Sequence, residues 1–225
     1  QELQHPSGLF SAARSIATGY HRVWIRDNIY ATLGFEAAQQ KDVAVKTLRA
    51  LLDILLKHEY KIEWAIIQKP QHAYQYIHAR YDPTTLEEIH EPWGNKQNDA
   101  IGALLWKIGD LERKGIKVLR DVNDKRILQK LVKYLASLEY WHDSDNGMWE
   151  EREEIHASSI GACVAGLKAV KHLVVVPDEL IWKGECALAK LLPRESETKE
   201  TDLALLSLIY PYAIVTPEQR DAILD

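Results

Sequence analysis

Cysteine is scarce in this sequence: Cys163 and Cys186 are the only two in 225 residues. They lie far apart in apolar helical patterns. That argues against a disulfide framework, shows no zinc-type spacing, and leaves two buried free thiols as the expectation. Long apolar runs are lacking too. No stretch approaches 18 apolar residues, so no membrane-spanning helix is expected. An excess of positive charge is also missing. The 28 Lys and Arg stand against 33 Asp and Glu, a formal net charge of −5, which argues against a general nucleic-acid or anionic-membrane surface. No fixed-period repeat of the tetratricopeptide or ankyrin type recurs. Phenylalanine occurs twice, against seven tryptophans and ten tyrosines. Trp and Tyr combine a flat face with a polar handle, so this bias leans toward a polar ligand such as a sugar or a base, beside ordinary core use. With 46% hydrophobic and 27% charged residues, the composition is that of an ordinary soluble globular chain, neither disordered nor fibrous.

The periodicities are almost all helical. One helix is expected over residues 27–40. A second follows over 43–59, with Val43, Leu48, Leu51, Leu52 and Leu55 as its apolar stripe. Residues 60–95 have weaker periodicity and hold Pro70, Pro83 and Pro92 with five tyrosines or tryptophans between Trp64 and Trp93. They read as a long structured loop with a short strand at 63–68, and a loop of that length is usually functional. A helix over 99–114 is stopped by Gly115. The next starts at Asn123 or Asp124. Residues 141–157 form a second polar loop. The helix at 158–172 is rich in Gly, Ala and Ser, which predicts a central position with close helix approach. Pro177-Asp178-Glu179 opens a helix that ends before Pro193, and a short one lies near 201–209. Thr216-Pro217-Glu218-Gln219 is a cap, a proline at the first helical position and a capping-box Gln. About eight helices and little strand give an all-α, single-domain expectation of antiparallel helix pairs.

Three polar constellations sit at helix starts. Trp24-Ile25-Arg26-Asp27-Asn28 reads either as a cap with its ion-pair partner or as a site where an aromatic ring, a guanidinium and a carboxylate meet a polyhydroxyl ligand. Trp93-Gly94-Asn95-Lys96-Gln97-Asn98-Asp99 carries more polar groups than one cap needs, although Asp99 could simply cap. Asp143 to Arg152 contains an Asn146-Gly147 turn and then Trp149-Glu150-Glu151. A glutamate against an indole face could have the raised pKa of a general acid, or this could be a solvated acidic loop. The aspartates do not make a hand-type calcium loop: counting from Asp143, glycine falls at the fifth position rather than the sixth.

In order and local sequence these constellations resemble glycoside hydrolase family 15, the glucoamylase-like (α/α)6 barrels, in the branch shared with the alpha and beta regulatory subunits of phosphorylase kinase. The matching stretches are GYHRVWIRDNIY from Gly19 to Tyr30, WGNKQNDAIG from Trp93 to Gly102, and NGMWEEREEIHASSIG from Asn146 to Gly161, with weaker matches in 199–211. The resemblance implies an all-α (α/α)6 toroid, of which residues 1–225 would be the N-terminal part of a single incomplete domain. Gln1 is not an initiator, and the capped helix after Thr216 is cut short by Asp225; both fit a piece of a larger protein whose other barrel half continues in cis.

The resemblance also implies roles. Glu150 would be the general acid, and Glu151 would bind the first sugar. Arg26 and Asp27 would grip hydroxyls of the terminal glucose, Trp24 and Trp93 would line the pocket, and Asn98, Asp99 and Trp149 would lie against the substrate. The implied reaction is hydrolysis of terminal α-glucosidic bonds with inversion, which needs a second carboxylate roughly 6.5–9.5 Å from the acid. That base is expected in the C-terminal half; Glu185, amid helical Cys186 and Leu188, does not supply it. The alternative is a non-catalytic glucan-binding or regulatory barrel like the kinase subunits. The expected partner is an α-glucan or oligosaccharide, with no metal or organic cofactor, no nucleic acid and no membrane. The two free-looking cysteines, with no leader visible in this stretch, lean toward a cytoplasmic location.

Overall fold

The computed structural model describes residues 2–225. The chain folds into helices α1 (Ile25–Ala37), α2 (Lys41–Lys57), α3 (Glu59–Ile67), α4 (Asn98–Arg113), α5 (Val122–Leu138), α6 (Ala157–Val170), α7 (Asp178–Leu191), α8 (Leu206–Ile209) and α9 (Pro217–Leu224). Two short strands, β1 (Val23–Trp24) and β2 (Arg80–Tyr81), pair antiparallel with Val23 opposite Tyr81 and Trp24 opposite Arg80. No helix among the described residues is long and apolar enough to cross a membrane.

The helices form two layers. In one, α1 lies beside α4 and α4 beside α6. In the other, α2 backs α1, α5 touches α2 and α4, and α7 backs α6. Burial is deepest in α6 and α4, with 13 of 14 and 12 of 16 residues buried, against 8 of 17 in each of α2 and α5 and 5 of 13 in α1. α2 and α5, covered on one face, show an amphipathic stripe, and α6, buried all round, does not. The small-residue expectation for α6 holds, because α4 and α6 meet backbone to backbone. A Cβ on Gly102 would stand 2.3 Å from the carbonyl carbon of Ala162, and one on Gly166 would stand 2.4 Å from the Gly102 oxygen.

The capping expectations have mixed outcomes. Thr216 and Gln219 form the reciprocal box at α9, and Gly115 adopts φ +77° just past α4. Asp27 and Asn28 do not cap α1, which begins at Ile25 after an extended Trp24. Asn28 is buried instead, exchanging hydrogen bonds with the Phe10 backbone (2.7 and 3.0 Å) and donating to the Trp24 carbonyl (2.9 Å), which fastens the N-terminal segment to α1. Asp99 does not cap α4. The amide of Asn98 donates instead to Asp145 from a distant loop at 2.9 Å. Helix α5 starts at Val122, capped by Asp121.

The strand expected at 63–68 is the helix α3. Ile62 and Ala65 face inward, and α3 packs along α5. That contact outweighs the β leaning of the isoleucines, as tertiary packing commonly does. Cys163 is a buried free thiol, but Cys186 is only half-buried.

Candidate functional site

Helices α1, α4 and α6 present their N-termini to a common patch, so the preceding polar segments converge there. Arg26, in the first turn of α1, is 6% exposed. Its guanidinium donates to Asp99 at 3.1 Å, to Gln97 Oε1 at 3.1 Å, to the Gly147 carbonyl at 3.4 Å and to Glu150 Oε1 at 3.3 Å. Burial alone would lower the Arg26 pKa, but Asp99, Glu150 and Asp27 more than offset it and hold the group above its ordinary value.

Glu150 is the meeting point. Gln97 Nε2 donates to its Oε1 at 2.6 Å, and the Trp93 indole N–H donates to its Oε2. Its backbone is left-handed, with φ +60°. A non-glycine residue there costs about 1–3 kcal/mol and persists only where surrounding contacts over-determine it. The turn that presents it is built from the Asn146-Gly147 pair foreseen in the sequence. Gly147 has φ +64°, and Asn146 accepts from the Lys96 amide at 3.0 Å and donates to the Glu151 carbonyl at 2.8 Å. The second constellation thus shapes the third.

Beneath this turn lies Asp145, fully buried. It accepts from the Asn98 amide, the Gly147 amide (3.1 Å) and the Ser159 hydroxyl (3.1 Å), so one carboxylate joins α4, the Glu150 loop and α6. Burial, aided by the Asp99 charge, pushes Asp145 up to about 7. The neighbouring His156 is raised as well: burial opposes its charge, but Glu195 (3.4 Å) and Asp145 outweigh that. Asp143 anchors the same loop, accepting from Tyr76 and from the Asn98 side chain, each at 3.0 Å.

The expected site residues therefore occupy different places. Arg26, Trp93, Asp99 and Glu150 are brought together. Asp27 is open to solvent in the first turn of α1, yet protein crowds its other sides. That desolvation raises its carboxyl against the pull of Arg26, and Glu150 and Asp99 add to the rise. Trp24 is buried behind the site, stacked on Tyr20 (5.5 Å between centroids) and edge-on to Trp93 (6.0 Å). Asn98 is buried and spends its side chain on Asp143. Trp149 is exposed and donates to Asp202 at 2.6 Å, while Glu151 is ion-paired with Lys199. Gln97 and Asp145 stood inside the polar runs without an assigned role, and none was assigned to Lys199, Asp202 or Arg80, whose guanidinium lies over the Trp93 ring at 4.4 Å. The only signals were the density of polar groups around Gln97 and the weak match at 199–211.

The sequence profile described as glycosyl hydrolases family 15 matches residues 1–180. Among curated proteins, the chain is 28% identical to the probable phosphorylase b kinase regulatory subunit alpha of Caenorhabditis elegans, covering 87% of this chain and 19% of that protein. It is 29% identical to the corresponding Drosophila melanogaster protein (97% and 20%) and 28% identical to the Mus musculus liver isoform (92% and 19%). The chain thus spans about one fifth of the length of these relatives. Among solved structures, a glycosidase variant superposes with TM-score 0.80 at 19% identity, covering 99% of this chain and 64% of that one. A variant solved in complex with glucose gives 0.78 at 20% identity with the same coverage. A glucoamylase from Saccharomycopsis fibuligera gives 0.54 at 17%, covering 84% and 44%. These likenesses show an all-α toroid fold, of which this chain supplies part. The chain belongs to glycosyl hydrolases family 15, with sequence kinship to the alpha regulatory subunits of phosphorylase kinase.

Proposed function

We propose that this region recognises the end of an α-linked glucan and serves a glucan-binding, regulatory type of barrel whose remaining part lies in the same longer chain. One observation carries the reading: Arg26, Trp93 and Gln97, from two separated segments, converge on the Glu150 carboxylate where the inner helices begin. Aromatic edges beside fixed donors and acceptors suit a sugar with several hydroxyls. The regulatory side is favoured by the kinship with subunits so named. It is also favoured by the way Arg26, Glu150 and Glu151 are already engaged by protein partners.

A second reading, hydrolysis with inversion, is supported by the retained Glu150-Glu151 pair and by the glycosidase fold. There Glu150 would protonate the departing glycosidic oxygen, while a second carboxylate outside this region activated water on the opposite face.

The test is proton NMR of the full-length protein with short α-linked glucose oligomers. Broadened oligomer signals without release of glucose are the expected result, and Glu150→Gln should weaken binding about tenfold, as loss of one charge-assisted acceptor would. Release of β-glucose that stops in Glu150→Gln, with binding kept, would establish the hydrolase instead. Oligomers that neither bind nor react would overturn both readings.

A further inference from the structure

The aromatic segment 60–95 is not used up by the Glu150 site. Helix α3 places Tyr60 and Trp64 one turn apart on one face, where they are 59% and 70% exposed. Tyr74, in the short 3-10 turn 73–75, is 69% exposed and stacks on His72 with centroids 5.5 Å apart. These rings line a groove with a cavity volume of about 720 Å³, which also takes in His90 and Trp93. Trp93 thus borders both this groove and the Glu150 site.

The groove carries few charged residues, Lys61, Glu88 and Glu91, and each of them is paired. Lys61 donates to both oxygens of Glu88 at 2.7 and 2.8 Å. Glu91 faces Arg80 at 3.6 Å. His78 is neutral near pH 7, because burial and the cations Lys61 and Arg80 push it down to about 3. A nucleic-acid strand needs unpaired cations beside its stacking rings. An anion needs an unpaired donor charge. A run of exposed rings beside neutralised polar groups fits a neutral polyhydroxylated ligand, whose C–H faces cover the rings while its hydroxyls meet groups such as His90 and Gln68.

We propose that this groove is a second binding surface for α-linked glucan, one that holds internal glucose units of a chain rather than its end. Its ligand class rests on the glucan reading of the Glu150 site, and Trp93 sets the two surfaces side by side. Trp64 and Tyr74 are the principal stacking rings.

The test uses β-cyclodextrin, a closed ring of α-1,4-linked glucose with no chain end, which cannot enter a chain-end pocket. Titration calorimetry of the full-length protein should show binding, weakened about tenfold or more in Trp64→Ala and in Tyr74→Ala. Both side chains are exposed, so the fold should survive, and circular dichroism checks this. Trp182, 62% exposed on α7, is the control: Trp182→Ala should bind as the wild type does. No binding of β-cyclodextrin, or equal weakening in Trp64→Ala and Trp182→Ala, would overturn the proposal, the latter by showing that the ring merely encloses any bare indole. The two readings fail separately. Cyclodextrin binding with no response to linear oligomers at the Glu150 site removes the chain-end reading and leaves the groove. Oligomer binding unaffected by Trp64→Ala, without cyclodextrin binding, removes only the groove.

Discussion

Replacing Arg26 with methionine tests the joint between the three loops. Methionine keeps most of the apolar stem and removes the guanidinium. Asp99 is 2% exposed and would lose its cation. Gln97 Oε1, the Gly147 carbonyl and Glu150 would each lose a donor. Breaking a buried ion pair from one side costs about 3–5 kcal/mol, because the remaining charge is stranded. Against a domain stability of about 5–15 kcal/mol, that is a large share. Urea unfolding followed by tryptophan fluorescence should therefore show Arg26→Met less stable by about 3–5 kcal/mol. Adding Asp99→Asn removes the stranded charge, so the double variant should recover more than about 1 kcal/mol relative to additivity. A loss below about 1 kcal/mol in the single variant, or no recovery in the double, would refute the claim that Arg26 holds the site together through Asp99.

Other consequences are separately checkable. Gly102→Ala should destabilise by about 2 kcal/mol or more through overpacking against Ala162, although alanine is the better helix former by about 1 kcal/mol; a gain in stability would show that α4 and α6 can separate freely. Stability should also fall as pH rises from about 6.5 through 7. Asp145 is raised from 3.8 to about 7, so its contribution is full below its unfolded value and is lost as pH rises through 7. His156 is raised too, so its contribution, full below 6.5, is lost in the same direction as pH passes its folded value. His78, lowered from 6.5 to about 3, acts the other way, but only below 6.5. Urea midpoints taken across this range should decline, and more shallowly in Asp145→Asn; a midpoint that rises as pH passes through 7 would contradict the burial of Asp145. Asp145→Asn itself should cost about 1–3 kcal/mol at pH 7, since an amide N–H would face a donor among Asn98 N, Gly147 N and Ser159 Oγ; an unchanged midpoint would count against its bridging role.

The sequence by itself determined what depends on neighbours in the chain. The 3.6-residue spacing of apolar residues placed α2, and Gly115 marked the end of α4. Thr216 and Gln219 marked the start of α9, Asn146-Gly147 marked the turn, and the small residues of α6 announced its central packing, because caps, turns and periodicity act within a few residues. The three constellations were also visible, as dense polar runs beside tryptophan. Tertiary structure alone decided which of those groups meet. Arg26 and Glu150 are 124 residues apart, and Asn98 is capped by Asp145 from 47 residues away. No local propensity encodes such pairs; they follow from parallel inner helices that bring their N-termini to one end. The same cause misled the local reading where it failed. The isoleucines of α3 favour a strand, but packing along α5 holds them in a helix. Asp99 and Asn28 look like caps, but burial gives them stronger partners in Arg26 and in the Phe10 backbone, and an unpaired buried polar group costs more than a cap contributes.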